Sequence, residues 1–186
     1  MTTQAMSQFF ACLALGCLAG VAGIIILAVA GRWSDRAAAL LDDLRAVALW
    51  LGWIVALVAT LGSLYYSLVA HFDPCPLCWY QRICMYPLAV VLLIAAIRRD
   101  SKIYIYAAAP VIVGLLLALY HTQLQAFPQQ HPLFCIITDP CTDRDVWQFG
   151  FISLPFMAMS AFLFIGTMLT LARSHTDALT PENSHG

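Results

Sequence analysis

The chain has 186 residues, of which 62% are hydrophobic and only 10% are charged, and its net charge at pH 7 is −1. Soluble globular proteins carry about 25% charged residues, so the composition excludes a soluble globular domain. The near-neutral charge gives no indication of nucleic acid or an acidic surface as a partner. We expect a small all-α protein that crosses a membrane several times.

Five apolar stretches predict membrane-spanning helices, because each approaches the roughly 20 residues that cross about 30 Å of hydrocarbon. They cover residues 8–30, 46–70, 79–98, 103–125 and 149–172. Pro87, Pro110 and Pro155 lie inside the last three stretches. We expect them to kink their helices, which a membrane bundle tolerates.

The first stretch lacks the basic residues that precede the apolar core of a secretory signal peptide. Its leading residues, "MTTQAMSQ", contain neither Lys nor Arg. We therefore expect residues 1–45 to form an additional N-terminal transmembrane helix, with its amino terminus outside, and a charged cytoplasmic linker. Cleavage of this stretch is the alternative, and Cys17, in "ALGC", is a candidate for lipidation.

The basic residues predict the orientation of the chain. Seven of the nine fall on one side if the spans alternate: Arg32, Arg36, Arg45, Arg98, Arg99, Lys102 and Arg173. That side is expected to be the cytoplasm. The polar tail, residues 173–186, is expected to be disordered there, whereas Arg82 and Arg144 lie on the exoplasmic side near cysteine pairs.

The segment "FDPCPLCWYQR", residues 72–82, holds a C-x-x-C pair at the start of a span. Asp73 and Pro74 predict a helix start with Asp73 as the N-cap. Cys75 then lies at the positive end of the helix, which favours its thiolate form. Cys78 and Arg82 are four residues apart and can share a helix face.

Three interpretations fit this pair: a redox dithiol, half of a zinc site, or an inert disulfide. A zinc site has no use for an arginine, and an arginine within a span is costly unless it is interfacial, paired or useful. The residues therefore favour redox chemistry.

A second pair, Cys135 and Cys141, lies in the exoplasmic connector 126–148. Five residues separate the two cysteines, so that a structural disulfide is sterically easy. Thiol–disulfide exchange with a soluble partner is the other interpretation. It is favoured because two exoplasmic cysteine pairs occur in a chain with little other polar chemistry.

The string "CPLCWYQRICMYPL", residues 75–88, followed by a closely spaced second pair, resembles the DsbB family of disulfide-generating membrane proteins. It looks most like the BdbC branch of that family. The resemblance covers residues 46–172 and implies a transmembrane four-helix bundle. Such a bundle reoxidises a DsbA- or BdbD-like thioredoxin-fold oxidant outside the bacterial cytoplasmic membrane. It passes two electrons to a membrane quinone, either ubiquinone or menaquinone.

The resemblance also implies residue roles. Cys135 and Cys141 exchange with the partner, with Cys135 forming the mixed disulfide. Cys75 and Cys78 form the pair beside the quinone, with Cys78 meeting its ring. The residues implied to bind the quinone are Arg82, Cys78 and Tyr80.

Several other interpretations compete with this one. A vitamin K epoxide reductase type also couples loop cysteines to a C-x-x-C, but lacks the C-x-x-C-x-Y-x-R string. A metal-binding or metal-transport protein would use all four of these cysteines, and a non-enzymatic scaffold would use them as staples. His71 and His121 are expected to be interfacial anchors, with proton handling as the alternative. The cysteines outside the pairs are expected to be small buried hydrophobic residues: Cys12, Cys17 and Cys84.

Overall fold

A computed structural model describes residues 3–129, 135, 141–142 and 144–179, with side chains as far as residue 173 except that of residue 101. The helices are α1 (Thr3–Ala30), α2 (Asp35–Leu68), α3 (Pro76–Arg98), α4 (Tyr104–Ala126) and α5 (Leu154–Leu179), with a 3₁₀ turn at Ser101–Ile103 before α4. The described ranges contain no β-strand, only an isolated bridge between Gln148 and Ile152.

All five helices are long and apolar enough to cross a membrane, with mean hydropathies between 1.7 and 2.7 in their best windows. The chain is therefore a polytopic helical membrane protein, which confirms the class predicted from composition. Cys84 is buried as expected, whereas Cys12 is exposed on the surface of α1.

Helix α2 begins earlier than the hydropathy pattern predicts. It starts at Asp35 and has 34 residues, a length of about 50 Å, whereas the hydrocarbon layer is about 30 Å thick. The segment 35–45 is rich in Ala and Leu, which are strong helix formers, and an Asp42–Arg45 ion pair lies on it. Most of the predicted linker is therefore helical, and only residues 31–34 connect α1 to α2.

Helix α5 begins later than predicted. Phe149 and Gly150 have φ angles of 51° and 81°, so the chain makes a turn before the helix starts at Leu154. Pro155 then lies in the first helical turn, where its missing N–H costs nothing. The prediction that it kinks a span is wrong. At its other end α5 continues to Leu179, and residues 180–186 of the predicted tail lie outside the described residues.

The helices α2, α3, α4 and α5 pack in a ring, each against the next, and α1 packs against α2 and α5. The largest buried side chains of the shared core include Leu88, Leu92, Phe162, Ile165 and Met168. Helices α4 and α5 approach closely at Gly114, where an added Cβ would overlap the Phe162 ring. This ring brings the α2–α3 and α4–α5 connectors to the same end of the molecule, where the cysteine pairs lie.

Candidate redox site

The C-x-x-C pair marks the beginning of α3. Cys75 is the N-cap residue, and its Sγ accepts a hydrogen bond from the backbone N–H of Cys78 at 3.3 Å. The expectation that Asp73 caps the helix is wrong, because Pro76 occupies the first helical position and places the cap at Cys75. The two sulfurs lie 2.8 Å apart. A disulfide bond is about 2.05 Å long, so that a small side-chain movement suffices to join them.

This environment stabilises the Cys75 thiolate. The hydrogen bond from the Cys78 thiol, the hydrogen bond and electrostatic attraction of His121, and the backbone N–H of Cys78 together lower the pKa of Cys75 to about 5, against the opposing effect of burial. Cys75 is therefore ionised at neutral pH when the pair is reduced. Thiolates are the reactive form in exchange, so the pair is chemically competent.

His121 of α4 lies at the centre of the site. It is 1% exposed, and its Nε2 is 3.8 Å from Cys75 Sγ and 3.1 Å from the carbonyl oxygen of Cys141. Its Nδ1 lies 3.3 Å from the side-chain nitrogen of Gln81, which is also buried. Because an amide nitrogen donates, Nδ1 accepts and Nε2 carries the hydrogen. The expectation that His121 is an interfacial anchor is wrong.

Sequence reasoning missed Gln81 entirely. Gln81 and His121 are both polar residues within apolar spans. Such side chains normally face a functional interior, so their polarity was a signal that the sequence contained. Gln81 also lies three residues after Cys78, on the helix face of that cysteine.

The loop cysteines form a disulfide, Cys135–Cys141, with a Cα–Cα distance of 5.9 Å. Cys141 is 1% exposed and clusters with Leu77 and Leu124. Cys75 and Cys135 both pack against this cluster. The structure thus brings both predicted pairs together, and Cys135 is the more accessible sulfur of the loop pair.

Arg82 is held against α2. Its guanidinium donates hydrogen bonds to the Ser67 hydroxyl and to the Ser63 carbonyl, the latter at 3.2 Å, and lies 5.3 Å from the centre of the Trp79 ring. Tyr86, one turn further along α3, donates to the Ser63 hydroxyl at 3.1 Å. The arginine is therefore oriented before any ligand binds.

Two cavities meet at Cys78. One, of about 300 Å³, is mostly polar and is lined by Cys75, His121 and Cys141 among others. The other, of about 240 Å³, is almost entirely apolar and is lined by Cys78, Arg82 and side chains of α1, α2, α3 and α5. Cys78 lines both cavities. It stands between a polar compartment with the other site cysteines and an apolar compartment with an arginine.

Tyr80 does not join this arrangement. It is 45% exposed and is not part of the lining of either cavity. Tyr86 lines the apolar cavity instead, because it is four residues after Arg82 and therefore shares its helix face.

The site also has the donors of a metal centre. The Sγ atoms of Cys75 and Cys78 and a ring nitrogen of His121 lie within 4.8 Å of one another. The four-cysteine metal site considered from sequence is not formed, since Cys135 and Cys141 are bonded to each other.

Comparison with known proteins identifies close relatives. The family model described as "Disulfide bond formation protein DsbB" matches residues 45–172. The "Probable disulfide formation protein" of Coxiella burnetii is 44% identical over 131 residues, which cover 69% of this chain and 89% of that protein. "Disulfide bond formation protein C" of Bacillus subtilis is 40% identical over 130 residues, covering 69% of this chain and 94% of that protein. A "Probable disulfide formation protein" of Chlamydia trachomatis is 38% identical over 133 residues, covering 72% of this chain and 97% of that protein. No solved structure matches the chain.

Proposed function

The chain belongs to the DsbB family of disulfide bond formation proteins, and we propose that it reoxidises a thioredoxin-fold oxidant and passes the electrons to a membrane quinone. Membership of the family makes it a multi-pass membrane thiol oxidoreductase that acts in disulfide formation. The proposal adds the electron donor, the electron acceptor and the residues that act on each.

One observation carries the proposal: Cys78 lines both a polar cavity with Cys75 and an apolar cavity with Arg82. A relay from water-soluble thiols to a lipid-soluble acceptor needs a sulfur with access to both environments. An inert disulfide or a structural staple has no need of the second cavity.

The first exchange takes place at the loop pair. A thiolate of the reduced partner attacks Cys135, the more accessible sulfur, and the bond to Cys141 breaks. The second partner thiol then displaces Cys135. The partner leaves with a disulfide, and the two electrons and two protons it lost remain on Cys135 and Cys141.

The second exchange joins the two pairs. The Cys141 thiolate attacks Cys75 of the oxidised helix pair, and Cys78 departs as a thiolate next to the apolar cavity. Cys135 then displaces Cys75 from Cys141, which restores the loop disulfide and reduces the helix pair.

His121 supports the transfer between pairs. Its Nε2 lies within reach of Cys75 and of the backbone of Cys141. It can stabilise the negative charge that develops on the Cys75 sulfur and hold the loop close to it. Gln81 fixes the ring orientation from the other side.

The apolar cavity fits a quinone. Its surface is mainly apolar, and its lining residues include Arg82 and Tyr86. A bound quinone accepts two electrons and two protons, which balances the two electrons and two protons taken from the partner. Arg82, held by Ser63 and Ser67, is placed to stabilise negative charge on an oxygen in this cavity.

The proposal includes the domain organisation and topology. Residues 46–172 form the DsbB-like four-helix domain, residues 1–45 add a helix to it, and residues 173–186 are a cytoplasmic tail. The distribution of basic residues supports exoplasmic cysteine loops in a bacterial cytoplasmic membrane.

The test uses the purified protein in phospholipid nanodiscs with a reduced thioredoxin-fold oxidant and a short-chain ubiquinone or menaquinone. We expect loss of quinone absorbance in the wild type and none with Cys78→Ser. Cys84→Ser is the matched control, because Cys84 is also a free cysteine of α3 but belongs to the core. Absence of quinone reduction by the wild type with both quinones would refute the proposal.

A metal-binding or metal-transport function is the second candidate, because Cys75, Cys78 and His121 present three donors at metal-binding spacing. It predicts that the reduced protein binds zinc or copper in a one-to-one ratio, measured by elemental analysis. It also predicts that Arg82→Ala leaves this binding unchanged. Stoichiometric metal together with no quinone reduction would favour this candidate.

A further inference from the structure

Helix α1 lies outside the region matched by the family model, which begins at residue 45. It nevertheless lines the apolar cavity beside Cys78 and Arg82. Its contribution is four side chains: Phe10, Leu13, Ala14 and Cys17. A helix that merely anchors the chain would have no reason to lie against this cavity.

The amino-terminal half of α1 is fixed against α2. The hydroxyl of Tyr66 donates a buried hydrogen bond to Ser7 Oγ at 3.0 Å. Phe10 packs on Gly62 so closely that an added Cβ there would lie 2.9 Å from the ring. A glycine at this position therefore permits the aromatic ring of α1 to reach the cavity wall.

A second contact fixes α1 against α5. At Gly20, an added Cβ would lie 3.0 Å from Phe164 Cε2. The buried positions of α1 are Ser7, Ala11, Ala14, Val21 and Ile24. They recur at three-, four- and seven-residue intervals, the pattern of a helix packed along one face.

We propose that α1 is a wall of the electron-acceptor site and that its side chains bind the quinone and determine the affinity for it. This inference rests on the proposed function, because it concerns the ligand of the same cavity. Cys78 and Arg82 supply the chemistry, while Phe10, Leu13 and Ala14 supply apolar surface for the ligand. The expected ligand is a quinone with an apolar substituent.

The first test compares two identical substitutions on α1. Leu13 and Leu15 are both 39% exposed, but only Leu13 lines the cavity. Leu13→Trp fills part of the cavity, so we expect the KM for a short-chain ubiquinone to rise about tenfold with kcat within about twofold. Leu15→Trp should leave both constants within about twofold. Equal effects of the two substitutions, or none from Leu13→Trp, would overturn the inference.

The second test needs no turnover and no substitution in the cavity. Cys17 lines the cavity, whereas Cys12 lies on the exposed surface of the same helix. Alkylation of both thiols by a membrane-permeant maleimide is followed by peptide mass spectrometry. A saturating, ring-substituted ubiquinone, which cannot itself add thiols, should slow modification of Cys17 severalfold and leave Cys12 unchanged. Equal rates with and without quinone would overturn the inference.

The two proposals fail in different ways. If the wild type reduces quinone but Cys17 is unprotected and Leu13→Trp behaves as Leu15→Trp, only the role of α1 is lost. If the wild type reduces no quinone, the proposed function is lost.

Discussion

The two cysteine pairs are introduced by the same tripeptide but have different environments. "DPC" ends at Cys75 and again at Cys141. Cys75 begins a helix, so that its sulfur receives a backbone N–H and a neighbouring thiol. Cys141 lies in a turn, buried and bonded to Cys135. The comparison teaches that the shared tripeptide gives a polarised sulfur only where a helix begins beside it, with the Cys78 thiol and His121 as neighbours of Cys75.

The largest effects are expected from substitutions that remove one cysteine of the loop pair. Cys141→Ser and Cys135→Ser should both abolish oxidation of the partner. Only Cys141→Ser should form a stable mixed disulfide with a single-cysteine partner whose thiol carries a thionitrobenzoate leaving group, because Cys135 is accessible and displaces that group whereas Cys141 is buried. Non-reducing electrophoresis measures this difference. Trapping by Cys135→Ser instead would reverse the assigned order.

His121→Asn should slow transfer between the two pairs by about a hundredfold, the scale of a lost acid–base or charge-stabilising group. It should also raise the pKa of Cys75, because two of the contributions that lower this pKa come from His121. Stopped-flow reduction of the helix pair and the pH dependence of Cys75 alkylation measure the two effects.

His71→Asn is the matched control for His121→Asn. His71 lines the same polar cavity, and Asn tolerates its left-handed backbone, φ 57°. A change of less than about twofold is expected. Equal losses in the two variants would remove His121 from its assigned role.

The pH dependence of the alkylation rate at Cys75 further distinguishes the helix pair from the loop pair. Its pKa of about 5 lies below that of an ordinary thiol, so the thiolate is present at neutral pH and is lost as the pH falls through 5. Alkylation of Cys75 in the reduced protein should be nearly constant from pH 7 to pH 6 and fall about tenfold by pH 4. Alkylation of glutathione, whose thiol has a pKa of about 8.5, should already become slower between pH 8 and pH 7. The same slowing at Cys75 would contradict the described environment.

Arg82→Lys tests whether the acceptor side of the helix pair depends on a fixed guanidinium. Lysine keeps the charge but not the paired hydrogen bonds to Ser63 and Ser67. We expect the KM for quinone to rise about tenfold while exchange between the cysteine pairs stays within about twofold. Arg99→Lys, at the opposite end of α3, is the control. A slower exchange between pairs would instead indicate that Arg82 acts on both sides.

The smallest effect is expected at Arg144, whose contacts hold the α4–α5 connector against the end of α4. Arg144 donates hydrogen bonds to the Gln125 carbonyl and lies 4.1 Å from the centre of the Trp147 ring. Arg144→Ala should slow transfer between the pairs about threefold, since such contacts contribute about 1 kcal/mol or less. Partner oxidation at saturating quinone measures it, and Arg144→Lys, which keeps the charge, should recover part of the loss. An unchanged rate would mean that the disulfide and the buried cluster alone position the loop.

Much of the fold followed from local pattern. Apolar length predicted the five helices, and Asp73 and Pro74 predicted that a helix begins close to the C-x-x-C pair. The boundaries were less predictable, because hydropathy marks where the chain is apolar rather than where it is helical. Segment 35–45 is charged and helical, whereas segment 149–153 is apolar and forms a turn. The kink predicted at Pro155 was wrong for the same reason, because the residues before it are apolar but not helical.

The residues of the site were predictable when they lay within one motif and unpredictable when they came from separate helices. Cys75, Cys78 and Arg82 are joined by helical periodicity, which the sequence expresses directly. His121 meets Cys75 only because α3 packs against α4. Apart from its polarity, nothing in the neighbouring sequence therefore indicated that His121 is a buried residue of the site.

The sequence alone determined the membrane class, the family, and the cysteines and arginine of the motif, because these depend on composition and short spacing. Tertiary structure decided which histidine contacts Cys75 and that α1 lines the apolar cavity. Those outcomes depend on contacts between residues distant in the chain, such as Ser7 with Tyr66 and Cys75 with His121. Periodicity specifies which face of a helix is buried but not which helix will cover it.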